Sequence, residues 1–188
     1  MFEPMLKNLS DNAQPILTAP YILRTRRNHG LEHATVHVLS DRVKSLSIAG
    51  RSDAAGFSLI GDVTTEQVES AVHDALERMQ KGEHHLAVHP NCGTGLLTTG
   101  TLVSLAALAG SIGVKRGARD YVNRFPLVLM MSIGAVILAQ PLGLSLQEHF
   151  TTEGNPGNLS VLKVERSELH TPLSNQPMTV HRVTTTST

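Results

Sequence analysis

Two histidines and a glutamate lie in a short run of the chain with a spacing that suits metal chemistry. His29 and His33 are four residues apart, and Glu32 directly precedes the second histidine. On a helix each residue turns by about 100°, so these histidines lie about 40° apart on one face. Both imidazoles can then bind one metal ion, while Glu32, at the edge of that face, can hold a metal-bound water. The spacing predicts zinc on His29 and His33, with Glu32 as a catalytic base.

A catalytic zinc usually has three protein ligands and one open position, so a third ligand is needed. The run His89-Pro-Asn-Cys-Gly-Thr-Gly95 is rich in glycine and proline and can fold back over the helix. We favour His89 from this run as the third ligand. The alternatives are Glu77 and Cys92, and the remaining candidates are Glu69, His73 and His37, the last of which is turned about 80° from His29.

The same residues also have a purely structural interpretation. In it, His29 and His33 are half-buried and hydrogen-bond to Glu32, to backbone or to neighbouring arginines. Arg24, Arg26 and Arg27 then form the solvated start of a helix or contact anionic lipid. Ten histidines in 188 residues, several of them near the motif, favour metal binding over this interpretation.

Composition excludes some classes of protein. The net charge is zero with neutral histidines, aromatic residues make up 3 % of the chain, and tryptophan is absent. A nucleic-acid surface needs basic excess or stacking rings, so no nucleic-acid partner is expected. Cys92 is the single cysteine, which excludes an intrachain disulfide framework.

Two uncharged stretches predict membrane helices. Residues 95–114 and 126–146 carry no charged side chain, and about 20 such residues cross a bilayer as a helix. The connection between them, Lys115–Phe125, is short and basic, so the pair is typical of a transmembrane hairpin. Small residues recur four apart in each stretch and would let the helices pack closely, namely Ala106 with Gly110 and Ala135 with Ala139. The alternative is two buried helices of a soluble domain.

The orientation of this hairpin is ambiguous. The positive-inside rule places the basic connection in the cytoplasm and both termini outside. However, residues 1–24 show no signal peptide that would carry the N-terminal region across. We therefore expect an integral protein of the bacterial inner membrane and leave the side of its soluble part open. The lipid bilayer is the expected partner, together with a membrane protein or a second copy of the chain.

The remaining patterns predict an α+β fold, a small helix-hairpin-helix-strand domain interrupted by the membrane hairpin and completed by C-terminal strands. Helical spacing predicts helices from about Arg26 to Asp41 and from Thr64 or Thr65, with a capping box, to Gly82. Alternation and turn residues predict strands at 45–49, 57–63, 85–89, 159–165 and 178–183. The predicted organisation is an irregular arm (1–24), the α/β domain (25–94), the hairpin (95–146), C-terminal strands packing on that domain (147–183) and a disordered tail (184–188).

The motif resembles the start of a known metallopeptidase domain. H-x-x-E-H followed by a β-hairpin and a helix looks like the pitrilysin-type (inverzincin) family. That resemblance implies zinc ligands at His29 and His33 and a general base at Glu32. A later glutamate completes the site in that family, and Glu69 or Glu77 would correspond to it here.

A second resemblance covers most of the chain. The runs R-R-N-H-G-L-E-H-A-T-V-H-V-L (26–39), G-R-S-D-A-A-G-F-S-L-I-G-D-V (50–63) and A-V-H-P-N-C-G-T (87–94), followed by a membrane pair, are similar to an uncharacterised bacterial membrane-protein family. This resemblance implies the fold and the membrane placement rather than an activity.

Together these features predict a zinc-dependent hydrolase, most simply a peptidase, that acts near the bilayer. The alternative is a protein without catalysis, either a membrane-anchored metal-binding or assembly factor or a structural subunit of a larger complex.

Overall fold

The computed structural model describes residues 2–114, 117–170 and 177–187. These residues form a mixed α+β fold, which confirms the predicted fold class. The helices are α1 (Glu3–Leu17), α2 (Pro20–Arg42), α3 (Thr65–Gln80), α4 (Gly93–Gly110) and α5 (Ala118–Leu146), and the strands are β1 (Ile48–Asp53), β2 (Gly56–Gly61), β3 (Leu159–Leu169) and β4 (Met178–Ser187).

The chain divides into two compact units. One unit consists of Met1–Leu6 and Pro90–Gln147 and contains α4 and α5. The other consists of Lys7–His89 and Glu148–Thr188 and contains α2, α3 and the sheet.

The sheet of the second unit is antiparallel, with strand order β1-β2-β4-β3. The predicted hairpin between the first two strands is confirmed, but β1 lies later than expected and includes residues that had been assigned to the turn. Only Ala54 and Ala55 connect the strands, and the Ala55 amide donates to Oδ1 of Asp53 at 2.8 Å. Both C-terminal strands are confirmed, with β3 and β4 each longer than predicted.

Helices α2 and α3 form the core with one face of this sheet. On β2, Phe57 and Leu59 are fully buried, and they pair with Val183 and His181 of β4. The predicted apolar stripe of α3 is confirmed, since its six members are buried, namely Val68, Ala71, Val72, Ala75, Leu76 and Met79. The capping box at Thr64 is present as well.

Two predictions of irregular structure are wrong. Residues 1–24 were expected to be irregular, but α1 and the start of α2 occupy them. Pro20 lies in the first turn of α2. Backbone N–H groups have no partner within the helix at that turn, so the missing N–H of proline costs no hydrogen bond. Residues 184–187 belong to β4 rather than to a disordered tail.

The strand predicted at 85–89 is a short 3₁₀ helix, His84–Ala87. Within this helix the consecutive residues Leu86 and Ala87 are both buried, at 5 % and 2 % exposure. Successive residues of a strand face opposite sides, so burial of two in a row favours the helical turn. A loop at 171–177 is expected between the last two predicted strands, and its residues 171–176 lie outside the described residues.

In the other unit, α4 and α5 are long and apolar enough to cross a membrane. Their best windows have mean hydropathies of 1.3 and 2.1, with 6 % and 17 % of each window buried. The side chains that are buried are small, as predicted for close packing: Gly110 on α4, and Ala135, Ala139 and Gly143 on α5. A Cβ at Gly143 would lie 3.1 Å from the Cα of Gly95, so the helix backbones meet there. Helix α5 begins at Ala118, so part of the predicted basic connection is helical, while Lys115 and Arg116 lie outside the described residues.

Candidate functional site

His29 and His33 lie side by side on α2, as the helical spacing predicts. Their ring centres are 4.4 Å apart and the ring planes meet at 63°. His33 is buried, with 3 % of its surface exposed, whereas His29 is half-buried. The pair thus lies where the second unit's core meets its surface.

Backbone carbonyls orient both rings. The Nδ1 atom of His29 is 2.9 Å from the Thr151 carbonyl oxygen, and Nδ1 of His33 is 2.7 Å from that of Ala87. A carbonyl oxygen can only accept, so each Nδ1 carries the proton. In the neutral imidazoles the lone pair is then on Nε2. Histidines that bind metals commonly donate their other ring nitrogen to a carbonyl or carboxylate in this way.

His89 and His37 extend the pair into a row of imidazoles. The ring centre of His89 lies 5.9 Å from that of His33 and 4.9 Å from that of His37. The Nε2 atom of His37 donates to the Val88 carbonyl oxygen at 2.9 Å, which is the opposite tautomer from the first two histidines. Burial, helped by the neighbouring His37 and His33, lowers the pKa of His89 to about 4. His89 is therefore a neutral imidazole at pH 7, the form that binds metals.

Glu32 faces the sheet. Its side chain is 5 % exposed and accepts a short hydrogen bond from the Ser52 hydroxyl on β1. A Cβ at Gly50 would overlap the Glu32 carboxylate, so a larger residue at that point of the strand would displace this side chain. The carboxylate thus packs closely against β1.

Three of the other predicted ligands, Glu69, His73 and Glu77, lie on α3. Glu77 on α3 has a side chain that is 63 % exposed, and it forms an ion pair with Lys81 one turn later. Glu69 and His73 are exposed on the same helix. Cys92 belongs to the other unit, where it is buried and caps α4, its sulfur accepting from the Thr94 amide at 3.4 Å.

Arg26 is a functional candidate that the sequence interpretation missed, because we expected a solvated arginine. It is 7 % exposed and donates to the carbonyl oxygens of Thr152 at 2.9 Å and of His149 at 3.4 Å. Its guanidinium also lies 3.5 Å from the Glu153 carboxylate. Burial lowers the pKa of Arg26, and the charge of Glu153 opposes this shift.

Asn28 is a second missed residue. It is fully buried, donates to the Asp53 carbonyl oxygen at 2.8 Å and accepts from the Thr185 hydroxyl at 2.6 Å. It therefore connects α2 to the end of β1 and to β4. The sequence does carry a signal for the neighbouring face of α2, since Arg26, Gly30, His33 and His37 recur every three or four residues, the spacing of one helix face.

A family model described as Domain of unknown function (DUF6391) matches residues 24–164. The chain belongs to this family. An uncharacterised protein of Picosynechococcus sp. (strain ATCC 27264 / PCC 7002 / PR-6) is 33 % identical over 160 residues, which cover 78 % of this chain and 74 % of that protein. No solved structure matches the chain. The prediction of an uncharacterised family is thus confirmed, and the DUF6391 match includes α2 from Arg24 onward, together with its histidines.

Proposed function

We propose that the chain is a membrane-anchored metal-binding protein in which His29 and His33 bind a divalent transition metal, with zinc as the first candidate. One observation supports this most strongly. Two adjacent imidazoles both donate Nδ1–H to backbone carbonyls, so in the neutral form each carries its lone pair on Nε2, the atom that would bind the metal. Imidazole nitrogens suit zinc, and the hydrogen bonds fix the ring orientation before the metal arrives.

The anchor in this proposal is the α4–α5 hairpin in the bacterial inner membrane. Large apolar side chains on both helices are exposed, among them Leu108 at 68 % and Ile137 at 67 %. An isolated soluble protein rarely exposes so continuous an apolar surface, whereas lipid covers it without cost. A membrane protein or a second copy of the chain would be the alternative cover for part of this surface.

Metal content tests the proposal directly. We expect near-stoichiometric zinc in detergent-purified protein prepared without chelators, and its loss in His33→Asn. The asparagine amide can still donate towards the Ala87 carbonyl, so this variant removes the ligand nitrogen and keeps the fold. His73→Ala, which removes an exposed histidine of α3, is the matched control and should keep its zinc.

The bound metal of the wild type, His33→Asn and His73→Ala is measured by mass spectrometry. Wild-type protein without bound metal, or equal metal in wild type and His33→Asn, would overturn the proposal. The same measurement on His89→Ala, Glu77→Ala and Cys92→Ser separates the three predicted third ligands.

Hydrolysis with Glu32 as base is the second candidate function. The specific observation in its favour is a buried carboxylate one residue from His33, held in place by the Ser52 hydroxyl. A bound zinc would supply Lewis acidity, and Glu32 would accept a proton and pass it to the leaving group.

Glu32→Gln tests this second candidate, because glutamine has the same shape and cannot accept the proton. We expect the variant to keep zinc and to lose at least about 100-fold in rate on a casein substrate, in line with the contribution of a general base. An unchanged rate at full zinc occupancy would remove Glu32 from the chemistry. A wild-type protein that binds zinc and cleaves nothing would leave the metal-binding function alone.

A further inference from the structure

Some apolar side chains of helix α1 are buried by the rest of the protein, and others on an adjacent part of its surface are exposed. Leu6 and Leu17 are buried, at 5 % and 7 % exposure. Met5, Leu9 and Ile16 are apolar as well but are 60 %, 55 % and 64 % exposed.

The exposed apolar residues form one stripe. At about 100° per residue, Met5, Leu9 and Ile16 lie within about 40° of one another around the helix. This stripe begins about 60° from the buried arc of Leu6 and Leu17. The polar side chains Lys7, Asp11 and Gln14 lie on the opposite side and are exposed. The helix is therefore amphipathic with an uncovered apolar edge.

The start of α1 is fixed at one end of the membrane hairpin. The hydroxyl of Ser145, in the last turn of α5, donates to Oε2 of Glu3 at 2.6 Å. If α5 crosses the bilayer, its last turn lies where the acyl chains give way to headgroups. Glu3 then lies at this boundary too, and α1 leaves from it.

We propose that α1 lies in the membrane interface, with Met5, Leu9 and Ile16 inserted at the boundary between phospholipid headgroups and acyl chains. This inference rests on the proposed membrane anchoring. Helices with an apolar stripe and an opposite polar face bind in the plane of a bilayer, and Lys7 and Gln14 would face the headgroups and water. We propose lipid rather than protein on this stripe because α1 begins at the end of α5. The exposed apolar side chains of α5, such as Ile137, also require lipid around them.

Single tryptophans test the inference, because the chain has no natural tryptophan. We would place the full-length protein in phosphatidylcholine vesicles with and without brominated acyl chains and compare Leu9→Trp and Ile16→Trp with Gln14→Trp. Interfacial helices insert their apolar face about 5–10 Å, within reach of the bromines, so an about twofold loss of emission is expected for the first two. Gln14→Trp, on the polar side, should be unaffected.

Ile137→Trp on α5 distinguishes this inference from the membrane anchoring on which it rests. If Ile137→Trp is quenched and Leu9→Trp and Ile16→Trp behave like Gln14→Trp, only the placement of α1 is overturned. If Ile137→Trp is not quenched, the hairpin does not contact the acyl chains and both proposals fail. Blue-shifted emission of Leu9→Trp without quenching by bromine would show a protein surface on the stripe and would overturn lipid as its occupant.

Discussion

The buried polar residues of α2 bind backbone groups of several chain segments. Arg26 binds the carbonyls near residues 149–152, Asn28 binds that of Asp53, and His33 binds that of Ala87. Leaving one such buried group without its partner costs about 1–3 kcal/mol. Helix α2 therefore stabilises its unit whether or not a metal binds. Variants used to measure metal binding must keep these hydrogen bonds.

Gly30 is required by a close approach of backbone. A Cβ at this position would overlap the Glu153 carbonyl oxygen, while the Glu153 amide donates to the Arg26 carbonyl oxygen at 3.0 Å. Gly30→Ala gains about 1 kcal/mol of helix propensity but overpacks a backbone contact, which costs about 1–3 kcal/mol. We expect lower stability in urea unfolding. Gly100→Ala, at a helical glycine with open space, should not lose stability, and a stabilised Gly30→Ala would contradict this account.

His181 gives the fold a pH dependence. It is fully buried on β4, its Nε2 lies 3.2 Å from the Thr65 hydroxyl, and Arg166 on β3 and Glu66 on α3 lie near it. Burial, helped by Arg166 and opposed by Glu66, lowers the pKa of His181 below its ordinary 6.5. On acidification His181 therefore takes up a proton in the unfolded chain before it does so in the folded protein. Its contribution to the free energy of unfolding is fully present above about pH 6.5 and is lost as the pH drops below this value. His181→Gln should weaken this acid sensitivity in urea titrations, and an identical pH profile would show that His181 does not carry it.

At the scale of single elements, α3 is the helix whose start depends most clearly on one side chain. The Thr64 hydroxyl accepts from the Gln67 amide at 3.3 Å, and the Gln67 side chain accepts from the Thr64 amide at 2.9 Å. Thr64→Ala should lower the free energy of unfolding by about 1 kcal/mol. Thr64→Ser keeps the hydroxyl and should unfold at nearly the wild-type denaturant concentration. Equal losses in both variants would point to the methyl group rather than the cap.

Elements that depend on local chemistry were predictable from the sequence, and elements that depend on distant partners were not. The apolar stripe of α3 and the side-by-side position of His29 and His33 follow from helix periodicity, and the cap of α3 follows from the residue types at Thr64 and Gln67. Helix α1 was missed because residues 1–24 were predicted to be an irregular arm, although Pro20 favours a helix start in the first turn of α2. The role of Arg26 was missed because its partners at His149 and Thr152 lie more than a hundred positions later in the chain.

At the scale of the whole molecule, metal binding and folding should be coupled. A metal that binds the folded protein and not the unfolded chain stabilises it by about 2.7 kcal/mol at 100 times Kd. We therefore expect zinc to raise the melting temperature of wild-type protein and a chelator to lower it. His33→Asn should respond to neither. Equal responses of the two proteins would assign the effect to zinc bound elsewhere.

The sheet also restricts the path of the chain. Strand β2 precedes the α4–α5 hairpin and β4 follows it, yet Phe57 pairs with Val183. Both flanks of the hairpin must then lie on the same side of any membrane that it crosses. The number of crossings is even, which agrees with two helices, and a topology reporter fused to either end of the chain should give the same side. Opposite sides would exclude either the sheet or the hairpin.

The pairing of β2 with β4 has a consequence for synthesis. The ribosome delivers α2, β2 and α3 long before the chain that forms β4, and α4 and α5 emerge in between. Until then β2 has an open edge, and the apolar side chains of Phe57 and Leu59 lack their partners. Such edges are sites of wrong association between nascent chains. Premature termination after the hairpin should therefore yield a product that aggregates or is degraded, so that the last strand made decides whether the first half of the protein survives.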